Sequence, residues 1–203
     1  MDNYFFYYFV LFSSWIPVIF IGIQRRINTN QTRLKSLFFL FILSRCLTDL
    51  GVFILEKLII NTFPVFHFSV IIQFILILEL FYSIHRYTIP KSVFVILSVV
   101  FFTLDLTVTS NITQNNHIST MYSYIVISGF GIGYLFKFNG DYFQKIILSS
   151  TSIYSIAFTF LLFFEEIFFS SKELNNYLLN FMALLSLSLN LIFSYTLCLK
   201  SKN

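Results

Sequence analysis

The stretch from Phe39 to Leu55 reads FLFILSRCLTDLGVFIL, an apolar run of helix length with a charged pair near its middle. Arg45 and Asp49 are its only charged residues. Because they are four residues apart, they share one face of a helix and can pair directly. Ionisable groups in a segment suited to lipid usually face the interior of a helical bundle. The stretch therefore predicts a membrane helix with a buried polar position.

The composition of the whole chain agrees with this interpretation. Hydrophobic residues make up 57% of the 203 residues and charged residues only 11%, whereas about a quarter of the residues are charged in a typical soluble domain. The apolar residues come in long blocks, and blocks of roughly 18 or more predict membrane-spanning helices. We therefore predict an all-α polytopic membrane protein, with residues 1–203 in a single integral membrane domain.

Seven apolar segments predict a seven-transmembrane-helix bundle. They lie near residues 4–23, 36–55, 64–84, 92–108, 119–136, 143–164 and 175–199. The segments near 92–108 and 119–136 are diluted by the polar or glycine-rich runs TLDLTVTS and SGFGIGYL, so six spans is the alternative to seven. Pro17 is expected to kink the first segment, because proline removes a backbone donor from the helix.

The basic residues predict the orientation of the bundle. With seven spans, Lys57 and Lys172 fall on one side of the membrane and Arg45 lies within it. Short loops rich in Lys and Arg stay in the cytoplasm, which places the N-terminus outside and the C-terminus inside. A nucleic-acid partner is not expected, because the basic residues do not form a face of a folded soluble domain. The other ten basic residues share the cytoplasmic side: Arg25, Arg26, Arg33, Lys35, Arg86, Lys91, Lys137, Lys145, Lys200 and Lys202.

A buried polar cluster is predicted from five residues of the second, third and seventh segments. At about 1.5 Å per residue, Arg45, Glu79 and Asn190 fall at similar depths, and Asp49 and Gln73 form a second level nearer the midplane. We expect Asp49 to hold Arg45, with Glu79 or Asn190 as a second partner, because an unpaired guanidinium in hydrocarbon is costly. The cluster either fixes helix register or binds a ligand, ion or proton, and the sequence leaves both alternatives open.

Few other motifs carry chemistry. Gly129 and Gly133 are four residues apart and predict a close helix crossing. The chain has two cysteines without CxxC spacing and no Walker, HExxH or GxSxG motif, so we predict no catalytic residue, no metal and no cofactor. Retinal is also not expected, because the seventh segment holds no lysine before Lys200.

Three segments carry a resemblance to a known group of proteins. SLFFLFILSRCLTDLGVFILEK, FSVIIQFILILELFYSI and SLNLIFSYTLCLKSK resemble small, Phe-rich seven-span membrane proteins from Bacteroidetes-type bacteria. The acid that follows Leu-Thr in that group is matched by Asp49, whereas the acid of its third segment is replaced by Gln73, with Glu79 six residues later. The resemblance implies a multi-pass protein of the plasma membrane (bacterial inner membrane) and implies no activity.

Three classes of function remain. The first is a non-enzymatic module that senses or binds a small or lipidic ligand and acts with a membrane or cytoplasmic signalling partner. The second is a small-solute transporter, which would show repeated halves or broken helices. The third is an intramembrane lipid hydrolase, which would need Asp49 and Glu79 to converge in one pocket. The absence of a catalytic motif favours the first class.

Overall fold

A computed structural model of the chain describes residues 12–25, 33–84, 88–109, 117–137, 142–169 and 172–198. The described residues form seven helices and no strand, so the predicted all-α class is confirmed. Each of the six predicted segments from 36–55 onwards overlaps one helix. The helices are α1 (Ile16–Arg25), α2 (Arg33–Lys57), α3 (Phe63–Ile84), α4 (Lys91–Thr109), α5 (His117–Lys137), α6 (Tyr142–Phe169) and α7 (Lys172–Cys198).

Two of the described helices, α2 and α3, are long and apolar enough to cross a membrane. A hydrocarbon core about 30 Å thick needs about 20 helical residues, and α2 has 25 residues while α3 has 22. Arg45 and Asp49 lie in the middle of α2, as the opening stretch predicts. The apolar runs of α2 and α3 are therefore consistent with membrane insertion.

The described helices form a closed series of contacts, in which α3 packs against four other helices. Neighbours in sequence pack against each other from α2 to α7, and α1 closes the series by packing against both α2 and α7. α3 contacts α5 and α6 in addition to its sequence neighbours α2 and α4. Phe74 and Phe81 of α3 are accordingly almost fully buried. This arrangement puts the middle of α2 beside α1, α6 and α7.

Aromatic side chains fill the space between α2 and α7. The rings of Phe38 and Phe193 meet edge to face with 5.3 Å between centroids, and Phe41 meets Phe193 at 6.0 Å. All three side chains are fully buried. Such edge-to-face pairs stabilise by roughly 0.5–1.5 kcal/mol beyond area burial, and they fix the position of α7 against the first half of α2.

The first helix is interrupted before Pro17. Phe12 and Ser13 are helical, Ser14 and Trp15 form a turn, and α1 begins at Ile16. The Trp15 N–H donates to the Phe12 carbonyl at 3.1 Å, three residues back instead of four. Because Pro17 has no N–H, the carbonyl four residues before it loses its usual helical donor. The expected kink is thus a complete break at the level of Ser14.

A close crossing between α5 and α6 is centred on Gly131. A Cβ atom added to Gly131 would overlap the Ser152 side chain and lie 3.1 Å from the Ser152 Cα. The predicted crossing at Gly129 and Gly133 is corrected, because nothing lies within 4 Å of a Cβ at either position. These two glycines are on the exposed side of α5, whereas Gly131 is buried. Four-residue spacing identified the wrong pair because it does not show which face of α5 meets α6.

The small residues of α6 also allow this approach. Ser152 and Ser155 are fully buried, and Ser155 donates to the carbonyl of Thr151 four residues back. Such back-bonding satisfies a hydroxyl inside a helix without a partner from outside. Small serines of this kind therefore let α6 pack closely against α5 without leaving a buried hydroxyl unsatisfied.

We predict opposite effects from alanine at two neighbouring glycines. Gly131→Ala should lower the melting temperature in detergent, because overpacking of a tight contact costs roughly 1–3 kcal/mol. Gly133→Ala should leave it unchanged or raise it, because the position is open and alanine favours helix by about 1 kcal/mol over glycine. Scanning fluorimetry of the two purified variants checks this, and equal melting temperatures would contradict the crossing at Gly131.

Candidate ligand site in the bundle interior

The Arg45 side chain faces the bundle interior, as predicted, and is only 9% exposed. Its guanidinium carbon lies 4.6 Å from the ring centroid of Tyr154 in α6 and 5.6 Å from that of Phe193 in α7. Both distances fall within the roughly 6 Å at which a cation is attracted to an aromatic face. Three helices therefore meet around this guanidinium.

The expected ion pair between Arg45 and Asp49 is not formed. Among the described residues, no ion pair within 4.0 Å is seen between Arg45 and a carboxylate, whereas Glu79 pairs with Lys91 and lies near Arg33. The Nη1 of Arg45 is buried without a hydrogen-bond partner among those residues. Sequence spacing showed that Arg45 and Asp49 share a face of α2, but it could not show that Arg45 turns to aromatic rings instead.

Asp49 and Cys46 turn to the break in the first helix. The Asp49 carboxylate is hydrogen-bonded to the Ser14 side chain and remains within the electrostatic field of Arg45. The Cys46 thiol donates to the Ser14 carbonyl at 2.7 Å. The backbone carbonyl at the break thus receives a donor from α2, which limits the cost of interrupting a helix in an apolar environment.

Asn190 holds the same break from the other side. Its amide Nδ2 donates to the Ser13 hydroxyl at 3.0 Å, and the Asn190 and Ser13 side chains are 2% and 3% exposed. Asn190 is one helical turn from Phe193, so this bond lies about 4.5 Å along α7 from the ring that covers Arg45. We call Arg45, Asp49, Tyr154, Asn190 and Phe193 the interior site.

Glu79 does not belong to the interior site. Its carboxylate forms an ion pair with Lys91 at the start of α4 and lies 4.0 Å from Arg33 at the start of α2. Arg33 and Arg45 are twelve residues apart in α2, about 18 Å of helix. The expected pairing of Glu79 with Arg45 is therefore corrected. The long side chains of Arg33 and Lys91, at the starts of α2 and α4, extend to the Glu79 carboxylate, so this acid is already paired there.

Gln73 forms a separate contact between α3 and α2. Its Nε2 lies 3.5 Å from the Thr48 hydroxyl, which itself donates to the Ser44 carbonyl at 2.8 Å. A bond of 3.5 Å is at the long limit for an amide donor. The five residues predicted as one cluster thus occupy three places: the interior site, the Glu79 ion cluster and the Gln73 contact.

Two tyrosines complete the surroundings of Arg45. Tyr124 of α5 and Tyr154 of α6 share a hydrogen bond between side chains, and Tyr124 also lies within the field of Arg45. Their rings meet edge to face with 6.1 Å between centroids. Sequence reasoning missed Tyr154 and Phe193, because nothing in an apolar block marks which aromatic residue faces a cation. It also missed Ser13 and Ser14, although the Ser-Ser pair just before Pro17 was an available signal.

Asp105 is a second buried acid that the sequence did not identify as important. Its two carboxylate oxygens accept the backbone N–H groups of Ile118 at 3.0 Å and Ser119 at 2.7 Å, and its side chain is 2% exposed. A carboxylate at a helix N-terminus satisfies free N–H groups and complements the helix dipole. Asp105 thus caps α5 from α4 and has a structural role.

Comparisons with protein-family models, with curated proteins and with solved structures find no match. The resemblance to small Phe-rich seven-span proteins therefore rests on the three quoted segments alone. What the interior site can do has to be inferred from its own chemistry. In the described part of the chain, no three residues among His, Cys, Asp and Glu are grouped as a metal site would require.

We predict that the double variant Arg45→Met/Asp49→Leu is more stable than the single variant Arg45→Met. The single variant removes the cation from the field of a partly buried carboxylate, whereas the double variant removes both charges. Replacing buried charges by apolar groups of similar volume is often neutral or stabilising by about 1–4 kcal/mol. Thermal unfolding of wild type, both single variants and the double variant forms a complete cycle. A double variant less stable than either single variant would show that the charges stabilise the fold.

Proposed function

We propose that the chain is a seven-span protein of the plasma membrane (bacterial inner membrane), with its N-terminus outside and its C-terminus inside. Support comes from the length and hydropathy of α2 and α3. It also comes from the placement of apolar side chains on the outside of the bundle and polar ones inside. Large apolar side chains are exposed along the outside of the bundle, among them Ile96 at 61% and Leu47 at 54%. Exposed apolar surface on this scale is unfavourable in water. Arg45 and the serines of α6 point inward, the arrangement expected when the surrounding solvent is lipid.

The Glu79 ion cluster supports the same topology. The starts of α2 and α4 and the last turn and a half of α3 meet there, since Arg33, Lys91 and Glu79 interact. Antiparallel spans joined by short loops bring these ends to one side of a membrane. Basic residues on that side are expected in the cytoplasm.

Labelling of single cysteines tests this topology. We predict that a cysteine at Asn115 or Asn116, in the segment 110–116 outside the described residues, reacts with a membrane-impermeant maleimide in intact cells. A cysteine at Asn139 should react only after the membrane is permeabilised. All three single-cysteine variants need Cys46 and Cys198 replaced by serine. Protection at both Asn115 and Asn116 would support six spans, and labelling of Asn139 in intact cells would reverse the orientation.

Within the membrane we propose a non-enzymatic module that binds or senses a small or lipidic ligand at the interior site. One observation carries this proposal, the buried Arg45 guanidinium whose Nη1 has no hydrogen-bond partner in the described part of the chain. Buried polar groups are almost always satisfied, and the exceptions need an explanation such as a binding role. A sensing module of this kind would act with a membrane or cytoplasmic signalling partner, because the predicted loops hold no folded output domain.

The hydrolase alternative receives no support from the positions of the two acids. The Glu79 carboxylate lies 4.0 Å from Arg33. Asp49 is sixteen residues from Arg33 along α2, which is about 24 Å of helix. Two acids that act on one bond need to flank it within a few ångströms. The transporter alternative does have a supporting observation, because transporters bind substrate at interrupted helices near the middle of the membrane and the first helix breaks at Ser14–Trp15.

Native mass spectrometry of the full chain in mild detergent tests the ligand-binding proposal. We predict that one small-molecule or lipid adduct per chain survives delipidation in wild type. Tyr154→Ala should lose it, since Tyr154 covers Arg45, while Ile96→Ala on the exposed face of α4 should keep it. Gel filtration verifies that both variants remain folded. No retained adduct, or equal retention in both variants, would contradict the proposal, and solute flux into reconstituted vesicles would favour the transporter.

A further inference from the structure

We propose that the interior site binds an anion, a carboxylate or a phosphate, through the N–H groups of Arg45. The inference rests on the proposed ligand-binding function and adds the class of ligand. It is carried by the geometry around the guanidinium: deep burial, two aromatic rings and an Nη1 without a hydrogen-bond acceptor among the described residues.

The contacts that Arg45 makes leave its Nη1 donors unused. Tyr154 and Phe193 attract the positive charge through their ring faces, and neither ring supplies an oxygen to an N–H group. A guanidinium has five N–H donors in a rigid planar fork that matches two oxygens of a carboxylate or phosphate. An oxyanion would therefore supply the hydrogen-bond acceptors that the two rings do not provide.

Asp49 does not occupy the hydrogen-bond donors of Arg45. Its carboxylate is more than 4.0 Å from the Arg45 nitrogens but lies within the field of Arg45 and is held by Ser14. Asp49 thus reduces the cost of burying Arg45 without occupying its donors. A cationic ligand would be repelled by Arg45, and a neutral ligand would leave the guanidinium without a charged acceptor.

The break in the first helix adds potential of the same sign. α1 begins at Ile16, two residues after Ser14, and has ten residues. A helix N-terminus carries about half a positive elementary charge and free N–H groups. The Ser14 level is also the level of Asp49 and Cys46, so this partial charge lies close to the middle of α2 where Arg45 is found.

The neighbouring side chains suit an anion with an apolar body. Phe193 covers Arg45 on one side and packs against Phe38 and Phe41 on the other. A fatty acid or a phospholipid headgroup would supply the oxyanion from the membrane, whereas an aromatic acid or inorganic phosphate would supply it from water. Both sources share the same contact with the Arg45 fork, and the experiment separates them.

The test is a thermal-stability titration of the full chain in a neutral detergent at constant ionic strength. The membrane probes are palmitate and phosphatidylglycerol, with hexadecanol and diacylglycerol as controls that lack an oxyanion. The soluble probes are benzoate and inorganic phosphate, with benzyl alcohol and chloride as controls. We expect a saturable rise in melting temperature from at least one oxyanion and none from its control. A response to the membrane probes alone identifies a lipid source, and a response to the soluble probes identifies a solute.

Variants show whether the response depends on Arg45. Arg45→Gln should weaken the apparent affinity by roughly 10- to 100-fold, because it removes hydrogen bonds to a charged group. Arg45→Lys keeps the charge but loses the fork, and should fall between Arg45→Gln and wild type. Arg33→Gln, which removes an exposed arginine near Glu79, should bind as wild type does. If Arg45→Gln does not fold, the comparison of Arg45→Lys with Arg33→Gln decides.

Three results would overturn the inference: no probe with an oxyanion stabilises wild type, the control without an oxyanion stabilises equally, or the Arg45 variants bind as tightly as Arg33→Gln. The ligand-binding function itself is judged separately by the adduct in native mass spectrometry. A neutral adduct that depends on Tyr154, together with a failed oxyanion titration, would retain the function and reject the anion. Loss of both signals would reject both.

Discussion

A guanidinium buried in the middle of α2 is the constraint on which the arrangement of the other helices depends. An ionised group away from water needs compensation from charge, hydrogen bonds or polarisable neighbours. Here the compensation comes from several helices at once: rings from α6 and α7 lie over Arg45, and Asp49 of α2 contributes its field. No single neighbouring helix could move away without exposing this charge to a worse environment.

The same constraint explains why the first helix can break where it does. An interrupted helix in an apolar environment requires donors and acceptors from its neighbours. Cys46 and Asp49 of α2 reach Ser14, and Asn190 of α7 reaches Ser13. The charge on α2 and the break before α1 are therefore satisfied by overlapping sets of residues. Changing either one changes the surroundings of the other.

The sequence predicted the helices well because the signal for them is summed over many residues. Apolar blocks of 17 to 25 residues located six helices, and the arginine within one of them was correctly expected to face the interior. The partners of that arginine could not be predicted in the same way. Spacing and depth place residues on a face and at a level, but Glu79 and Asn190 both satisfied those criteria for Arg45 while the structure gives them other partners.

The glycines of α5 also show that spacing alone does not predict which residues meet. Gly129 and Gly133 have the spacing of a packing motif, yet Gly131 between them makes the contact. Residues two apart in a helix point to nearly opposite sides, and the facing helix decides which side is packed. Ser152, which Gly131 meets, is unremarkable in a run of serines and threonines. A contact between two helices depends on both of their surfaces. The sequence of α5 alone therefore could not show which of its glycines meets α6.

Two groups of charged residues therefore lie at different levels along the axis of the bundle. Glu79 joins the ends of three helices through Lys91 and Arg33, where water can reach the charges and exposed ion pairs contribute little stability, typically below about 1 kcal/mol. Arg45 lies about 18 Å deeper along α2, where the surroundings are aromatic and each charged contact has a larger effect. Binding at Arg45 would change interactions with α6 and α7 and, through Asp49 and Ser14, with the broken first helix. A ligand at this depth would therefore act on the relative positions of four helices, which is a physical route by which a helical bundle can report what it binds.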